Sequence, residues 1–190
     1  MSEIWLHFQL PPRLEGLPPF EELTCIDLGC GTYNSDVARQ VLDIPWMSLT
    51  SVDCYKPDLD VARTKPCKAK EWYIKDNNVF DGLHQADVIL SFDVLEHLTK
   101  EDGLRWLNLL DLYAKKRIVL FLPVEPADFF RKNIWPENPA QEHLSHWRPH
   151  ELDALGYKTE EVFGCHSELK EDGSTVSFGA VWAIKDIEKL

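Results

Sequence analysis

Short apolar runs that end in glycine or an acid recur along the chain, and segments with helical spacing lie between them. The first run, Leu23-Thr24-Cys25-Ile26-Asp27-Leu28, stops at Gly29 and Gly31. In Asp36–Asp43, Val37 pairs with Val41 and Ala38 with Leu42, four apart as on one helix face, with Asn34 or Ser35 as cap. Leu49-Thr50-Ser51-Val52 predicts a second strand ending at Asp53, and Trp72-Tyr73-Ile74 a short third. Ala86–Phe92 is nearly all apolar, as in a strand covered on both faces. Thr99-Lys100-Glu101-Asp102 has the form of a capping box and opens a helix to about Tyr113. Ile118–Leu122 predicts a fifth strand stopping at Pro123, and Pro149–Leu152 a short helix ended by Gly156. Lys158–Glu168 and Val176–Ile184 flank a Gly173-Ser174 turn and read as an antiparallel hairpin. Strands alternating with helices predict an α/β fold with a doubly wound, mostly parallel sheet. Such a sheet binds its ligand at the carboxyl ends of its strands, so the residues that follow each strand carry the interest.

Two segments do not fit this alternation. Residues 1–22 form a leader in which Pro11, Pro12, Pro18 and Pro19 prevent a long helix after the cluster Trp5-Leu6-His7-Phe8. Residues 123–149 form an irregular insertion, which beside the active end of a sheet reads as a lid or acceptor pocket. The whole chain, 190 residues and 22.0 kDa, is expected to be one domain, 1–190.

Charge narrows the function. Lys and Arg number 20 against 32 Asp and Glu, a net charge of −12. That balance argues against a broad basic surface for nucleic acid or anionic membrane. No apolar stretch is long enough to span a membrane, and the N-terminus lacks the pattern of a signal peptide. Cys25, Cys30, Cys54, Cys67 and Cys165 show no C-x-x-C pair and read as reduced thiols of a cytoplasmic protein.

After the first strand, Gly29 and Gly31 permit a tight turn and close approach of a ligand to the backbone. After the second, Asp53 stands where an acid accepts hydrogen bonds from the cis hydroxyls of a ribose. A dinucleotide fingerprint asks for a third glycine where Asn34 stands, which disfavours an NAD(P)-dependent oxidoreductase. Asp27 would sit badly beside a pyrophosphate and well beside an ammonium group. A ribose with an ammonium in place of phosphates describes S-adenosylmethionine (SAM).

With these residues in place, residues 21–184 resemble the class I SAM-dependent methyltransferases, in particular their small-molecule type 11/12/23 branch. Ile26–Thr32 is similar to the family's first motif, Val52-Asp53 to its second, and Ala86–Leu98 to its strand-four signature. The resemblance implies a Rossmann-like, seven-stranded sheet closed by an antiparallel hairpin. It implies that Asp27, Gly29, Cys30 and Gly31 hold the methionine moiety and Asp53 the ribose, with Cys54 against the adenine. Asp76 or Asn77 would face the adenine amino group, and Ser91 and Phe92 would lie beside the cofactor. The chain departs from the pattern at Tyr33, where a small residue is usual, and at Ala114–Arg117, which replaces a Pro-Gly-Gly turn.

Two regions could serve the methyl acceptor. Asp93, Glu96 and His97 fall at i, i+3 and i+4, one face of a helical turn. The insertion carries Phe129, Phe130, Arg131, Trp135, His143, His146, Trp147 and Arg148. Aromatic side chains suit an apolar acceptor, and histidine accepts protons near neutrality. His143 or His146 is the candidate base, with His97 next. A plainer reading has Glu96 and His97 fastening the turn and the tryptophans in the core. No metal is assigned, although Asp93, Glu96 and His97 with His143 or His146 would make a mixed set suited to Mg, Mn or Fe rather than Ca. The expected activity is methyl transfer to a hydroxyl or amine of a small molecule; the alternatives are a catalytically inactive SAM-binding or partner subunit and an NAD(P)-dependent oxidoreductase.

Overall fold

The computed structural model describes residues 9–65, 68–71, 84–126, 137–169 and 173–188. Strands β1 (Thr24–Leu28), β2 (Ser48–Asp53), β3 (Lys68–Glu71), β4 (Ala86–Phe92), β5 (Ala114–Val124), β6 (Lys158–Leu169) and β7 (Thr175–Asp186) form one seven-stranded sheet in the order β3-β2-β1-β4-β5-β7-β6. From β3 to β5 all pairings are parallel, whereas β7 runs antiparallel to both β5 and β6. From β1 the chain passes to β2 on one side, and β4 pairs on the other. That reversal opens a crevice at the carboxyl ends of the central strands.

Each face of the sheet has its own core. On one, α3 (Lys100–Tyr113) and α4 (Pro149–Ala154) bury Trp106, Leu107, Leu110 and Leu152 against Ile26, Ile89 and Ile118. On the other, α1 (Asp36–Asp43) and α2 (Lys56–Ala62) bury Val37, Val41, Leu59 and Ala62 beside Val88, Leu90 and Trp182. Leu10 and Leu14 from the proline-rich leader join this second core, so residues 10–14 are structural. Among the described residues no helix is long and apolar enough to cross a membrane.

The helix ends follow local chemistry. Ser35, rather than Asn34, caps α1, its hydroxyl accepting from the Ala38 N–H at 3.1 Å. Thr99 caps α3 by accepting from the Asp102 N–H at 3.2 Å, and its own hydroxyl donates to the Asp102 carboxylate at 2.8 Å. Trp147 is core, as read, and Gly103 is what admits it. A Cβ on Gly103 would stand 2.6 Å from the Trp147 ring.

Three boundaries differ from the sequence reading. The described third strand is Lys68–Glu71; Trp72, Tyr73 and Ile74, where the reading put it, lie outside the described residues. Strand β5 neither starts at Ile118 nor stops at Pro123. The Arg117 guanidinium meets Asp186 at 2.7 Å across the sheet, which carries a polar stretch into the strand, and Pro123 pairs with Ala180. Helix α2 was not anticipated; Pro57 fits its first turn, and Lys56 and Asp60 pair across one turn at 2.9 Å.

Candidate functional site

Because β1, β2, β4 and β5 are parallel, the residues that follow them gather along one edge of the sheet. Two adjoining cavities open there, of about 520 and 290 Å³. Gly29, Gly31, Asp58, Asp93, His97 and Gln141 line both.

The larger cavity is mainly apolar. Leu28, Val52, Val94, Leu98 and Trp106 line it, together with Asp53 and Cys54. The Asp53 carboxylate is anchored by two backbone donors, the Gly31 N–H to Oδ2 and the Tyr55 N–H to Oδ1, each at 2.8 Å. Burial raises its pKa, and the donated backbone hydrogen bonds oppose the rise. Each carboxylate oxygen can accept a further bond, so the anchor leaves capacity for a ligand.

The smaller cavity has mixed walls, polar and apolar in nearly equal share. Asp27, Cys30, Phe92, Glu96, Glu125, His143 and His166 line it. Asp27 is buried, with an Oδ2 atom that has no hydrogen-bond partner. Burial pushes its pKa up to about 7, opposed by a hydrogen bond from Tyr33 and reinforced by the nearby charge of Asp53. Tyr33 takes a positive φ of 58° and turns into the core, where its hydroxyl meets that of Ser51 at 2.5 Å. That inward turn, rather than a small side chain, is how the chain fills this position.

Asp27 also makes stability depend on pH. Its folded pKa lies above the ordinary 3.8, so between pH 4 and 7 the folded state holds a proton that the unfolded state has released. Stability from this group therefore falls as pH rises through that window and is level above it. From pH 5 to 7.5 the wild type is expected to lose about 2 kcal/mol more than Asp27→Asn, a carboxamide that does not titrate. Urea unfolding of both proteins at several pH values measures this. Parallel curves would show that Asp27 ionises at an ordinary pH.

At the far side of the smaller cavity the chain is stitched together. Leu144 and Ser145 donate their N–H groups to the Glu96 carbonyl, at 2.7 and 3.1 Å. These bonds tie the 3₁₀ turn Leu95–His97 to the insertion and bring His97 and His143 into edge contact, ring centres 4.8 Å apart. His97 Nδ1 donates to the Glu142 carbonyl at 3.1 Å, and His143 Nδ1 donates to Glu125 Oε1 at 2.9 Å. Each ring so held carries its lone pair on Nε2.

Of the residues read from the sequence, Asp27, Gly29, Cys30, Gly31, Asp53, Cys54, Phe92, His97 and His143 line the two cavities. Ser91 does not: it is buried within β4. His146 is not among the residues that line either cavity; its Nε2 lies 3.5 Å from Glu125 Oε2. Asp76 and Asn77, with Trp5, Phe8, Phe129, Phe130, Arg131 and Trp135, lie outside the described residues. Sequence reasoning missed Glu125, which directly follows β5 and so stood where a strand-end acid should have been sought.

No protein-family model matches the chain, and no curated protein matches it in sequence. Solved structures do match its fold. YcgJ from Bacillus subtilis superposes with a TM-score of 0.62 at 12% identity, covering 98% of this chain and 98% of YcgJ. TehB from Haemophilus influenzae gives 0.61 at 13% identity over 88% of this chain and 58% of TehB, so the chain spans little more than half of that protein. The magnesium protoporphyrin IX methyltransferase ChlM from Synechocystis PCC 6803, solved with SAM bound, gives 0.56 at 13% identity over 96% and 77%. A carbon methyltransferase and an O-methyltransferase family protein both occur among the matches. At such identities the fold is what is shared, and it is the Rossmann-like fold of class I SAM-dependent methyltransferases.

Proposed function

We propose that this chain is a SAM-dependent methyltransferase whose acceptor is a hydroxyl or amine of a small molecule. One observation carries the reading: two cavities, the larger one mainly apolar, meet at Gly29 and Gly31, at the switch point of the sheet, with the Gly31 N–H held by Asp53. The residues present fit the cofactor. A Cβ on Gly31 would meet nothing within 4 Å, so open space lies directly against the loop backbone. The unpartnered Asp27 Oδ2 suits an ammonium donor.

In this reading Leu28, Val52, Cys54, Val94, Leu98 and Trp106 enclose the adenine, and Asp53 accepts from the ribose hydroxyls. Gly29 and Gly31 let the methionine chain pass close to the backbone toward Asp27. When bound, SAM supplies an electrophilic methyl group on a positively charged sulfur. The residues about the smaller cavity then align an acceptor and keep water out, which is the larger part of catalysing a displacement between bound groups. His97 and His143 are the groups that activate the acceptor, either as free bases or through an ion that they hold. A cavity of about 290 Å³ suits a small molecule, and the net charge of −12 disfavours a polyanionic one. Cys25, Cys30, Cys54 and Cys165 are reduced cysteines, in accord with the cytoplasmic setting proposed.

Calorimetric titration with SAM, S-adenosylhomocysteine and NADH tests the reading. Saturable binding of the two sulfur ligands at micromolar concentration, and none of NADH, is the expected result. Binding of NADH alone would overturn it in favour of a nicotinamide enzyme. Binding of SAM with no methylated product across a panel of alcohols and amines would favour the inactive subunit.

A further inference from the structure

We infer that the smaller cavity binds an organic ammonium ion, so that the acceptor of this chain is a small amine with an apolar, ring-sized body. Asp27, Asp58, Asp93, Glu96 and Glu125 all line that cavity, and among the described residues no lysine or arginine does. Such walls repel an anion and give a neutral alcohol no advantage.

Acids around a cleft are ordinary; what points to a ligand is a pair of buried oxygens. Glu125 is 2% exposed, and its Oε2 makes no hydrogen bond. His146 Nε2, at 3.5 Å, stands beyond the roughly 2.7–3.2 Å of a formed bond. Asp27 Oδ2, equally buried, makes none either. A carboxylate oxygen left so is costly, and a donor brought by a ligand removes the cost. One donor cannot serve both. Asp27 lies on β1 and Glu125 follows β5, with β4 between, so two strand spacings of about 4.8 Å hold them about 10 Å apart. The ammonium of the cofactor answers Asp27, and Glu125 calls for a second cation.

The apolar part of the wall is aromatic, with Phe92, Phe178 and His166. Between the pairs Val162–Ala180 and His166–Phe178, three residues of β6 face Gly179 alone. Gly164 takes a positive φ of 63° in this bulge, and a Cβ on Gly179 would stand 2.4 Å from the Val162 carbonyl oxygen. Where pairing resumes, His166 lies flat on Phe178, ring centres 5.1 Å apart with 23° between the planes. Carboxylates beside aromatic rings suit an organic ammonium ion, which the acids and the ring electrons both attract.

An ammonium must lose a proton before its nitrogen can be methylated. His143, in the same wall, carries its lone pair on Nε2 and takes that proton. The nitrogen pair so freed forms the bond to the methyl carbon as the carbon–sulfur bond breaks onto sulfur, and the product is again an ammonium. That step rests on the methyltransferase reading; the ammonium site does not.

The test is calorimetric titration of the full chain with phenethylamine, 2-phenylethanol and phenylacetate, a cation, a neutral molecule and an anion of similar size. S-adenosylhomocysteine is present, to keep the probes out of the larger cavity. Phenethylamine is expected to bind at least tenfold more tightly than 2-phenylethanol, and phenylacetate more weakly than both. Glu125→Gln should weaken phenethylamine by about tenfold, the effect of one bond to a charged group, and 2-phenylethanol by less than threefold. Asp93→Asn removes a charge at an exposed position whose φ of 52° asparagine tolerates, and should weaken phenethylamine alone by about threefold. Phe178→Leu should weaken both probes alike. Glu101→Gln, an exposed acid on α3, should change neither. Equal affinity for phenethylamine and 2-phenylethanol, or a preference that survives both Glu125→Gln and Asp93→Asn, would overturn the site. Titration with and without S-adenosylhomocysteine keeps the two readings apart. If that ligand binds and the amine is not preferred, only the ammonium site falls; if it does not bind and the amine is preferred, only the cofactor falls.

Discussion

Asp53→Ala is expected to weaken SAM binding by at least a hundredfold while leaving the fold intact. The carboxylate closes β2 and lines the larger cavity. Each hydrogen bond to a charged acceptor contributes about 1.5–3 kcal/mol, so two ribose hydroxyls give about 3 kcal/mol or more, a factor of a hundred or above. The same oxygens hold the Gly31 and Tyr55 N–H groups, so the alanine also releases the glycine loop. Removing a buried carboxylate whose pKa is raised offsets part of that loss, and the melting temperature should move by only a few degrees. Asp53→Asn keeps an acceptor for one N–H and loses the charge; it should fall between wild type and alanine. Calorimetry with melting curves on the three proteins decides the matter. An affinity for SAM in Asp53→Ala within threefold of wild type would place the ribose elsewhere.

The alternation of strand and helix was legible because β1 and β4, covered on both faces, carry short apolar runs that end at glycine or an acid. Helix α2 was not legible: seven residues with Pro57 and two acids carry too little periodicity, and tertiary contacts through Leu59 and Ala62 decide it. The polar start of β5 was hidden for a related reason, since Arg117 finds Asp186 on a strand distant in sequence. The residues proposed to hold the cofactor could be brought to one edge of the sheet from the sequence because they sit at fixed offsets from strand ends. The acceptor side could not. His143 and His146 are three apart in an irregular segment, and only their opposite placements about Glu125 tell them apart. Glu125 itself follows a strand that the sequence reading stops at Pro123 and that runs to Val124.

Gly29→Ala is expected to destabilise the protein by about 3 kcal/mol, whereas Gly31→Ala, two residues on, should cost about 1 kcal/mol. Both glycines adopt positive φ, 74° and 52°, so each alanine pays for a left-handed backbone. They differ in what a methyl group would meet. At Gly29 it would stand 2.1 Å from Val94 Cγ2, a buried side chain that follows β4. The loop cannot retreat easily, because the Gly29 and Cys30 N–H groups both donate to the Val52 carbonyl, at 2.8 and 3.1 Å. At Gly31 it would meet nothing within 4 Å and would project into ligand space. The first glycine therefore serves packing between the β1 and β4 loops, and the second, in the proposed reading, leaves room for the ligand. Gly31→Ala should accordingly lose more than tenfold in SAM affinity at nearly wild-type stability. In the Gly29→Ala background, Val94→Ala should recover part of the stability by removing the clash, a coupling that denaturant unfolding of the double-mutant cycle measures. Additive effects of Gly29→Ala and Val94→Ala would show that the loop yields without touching Val94, and would remove this account of why a glycine stands there.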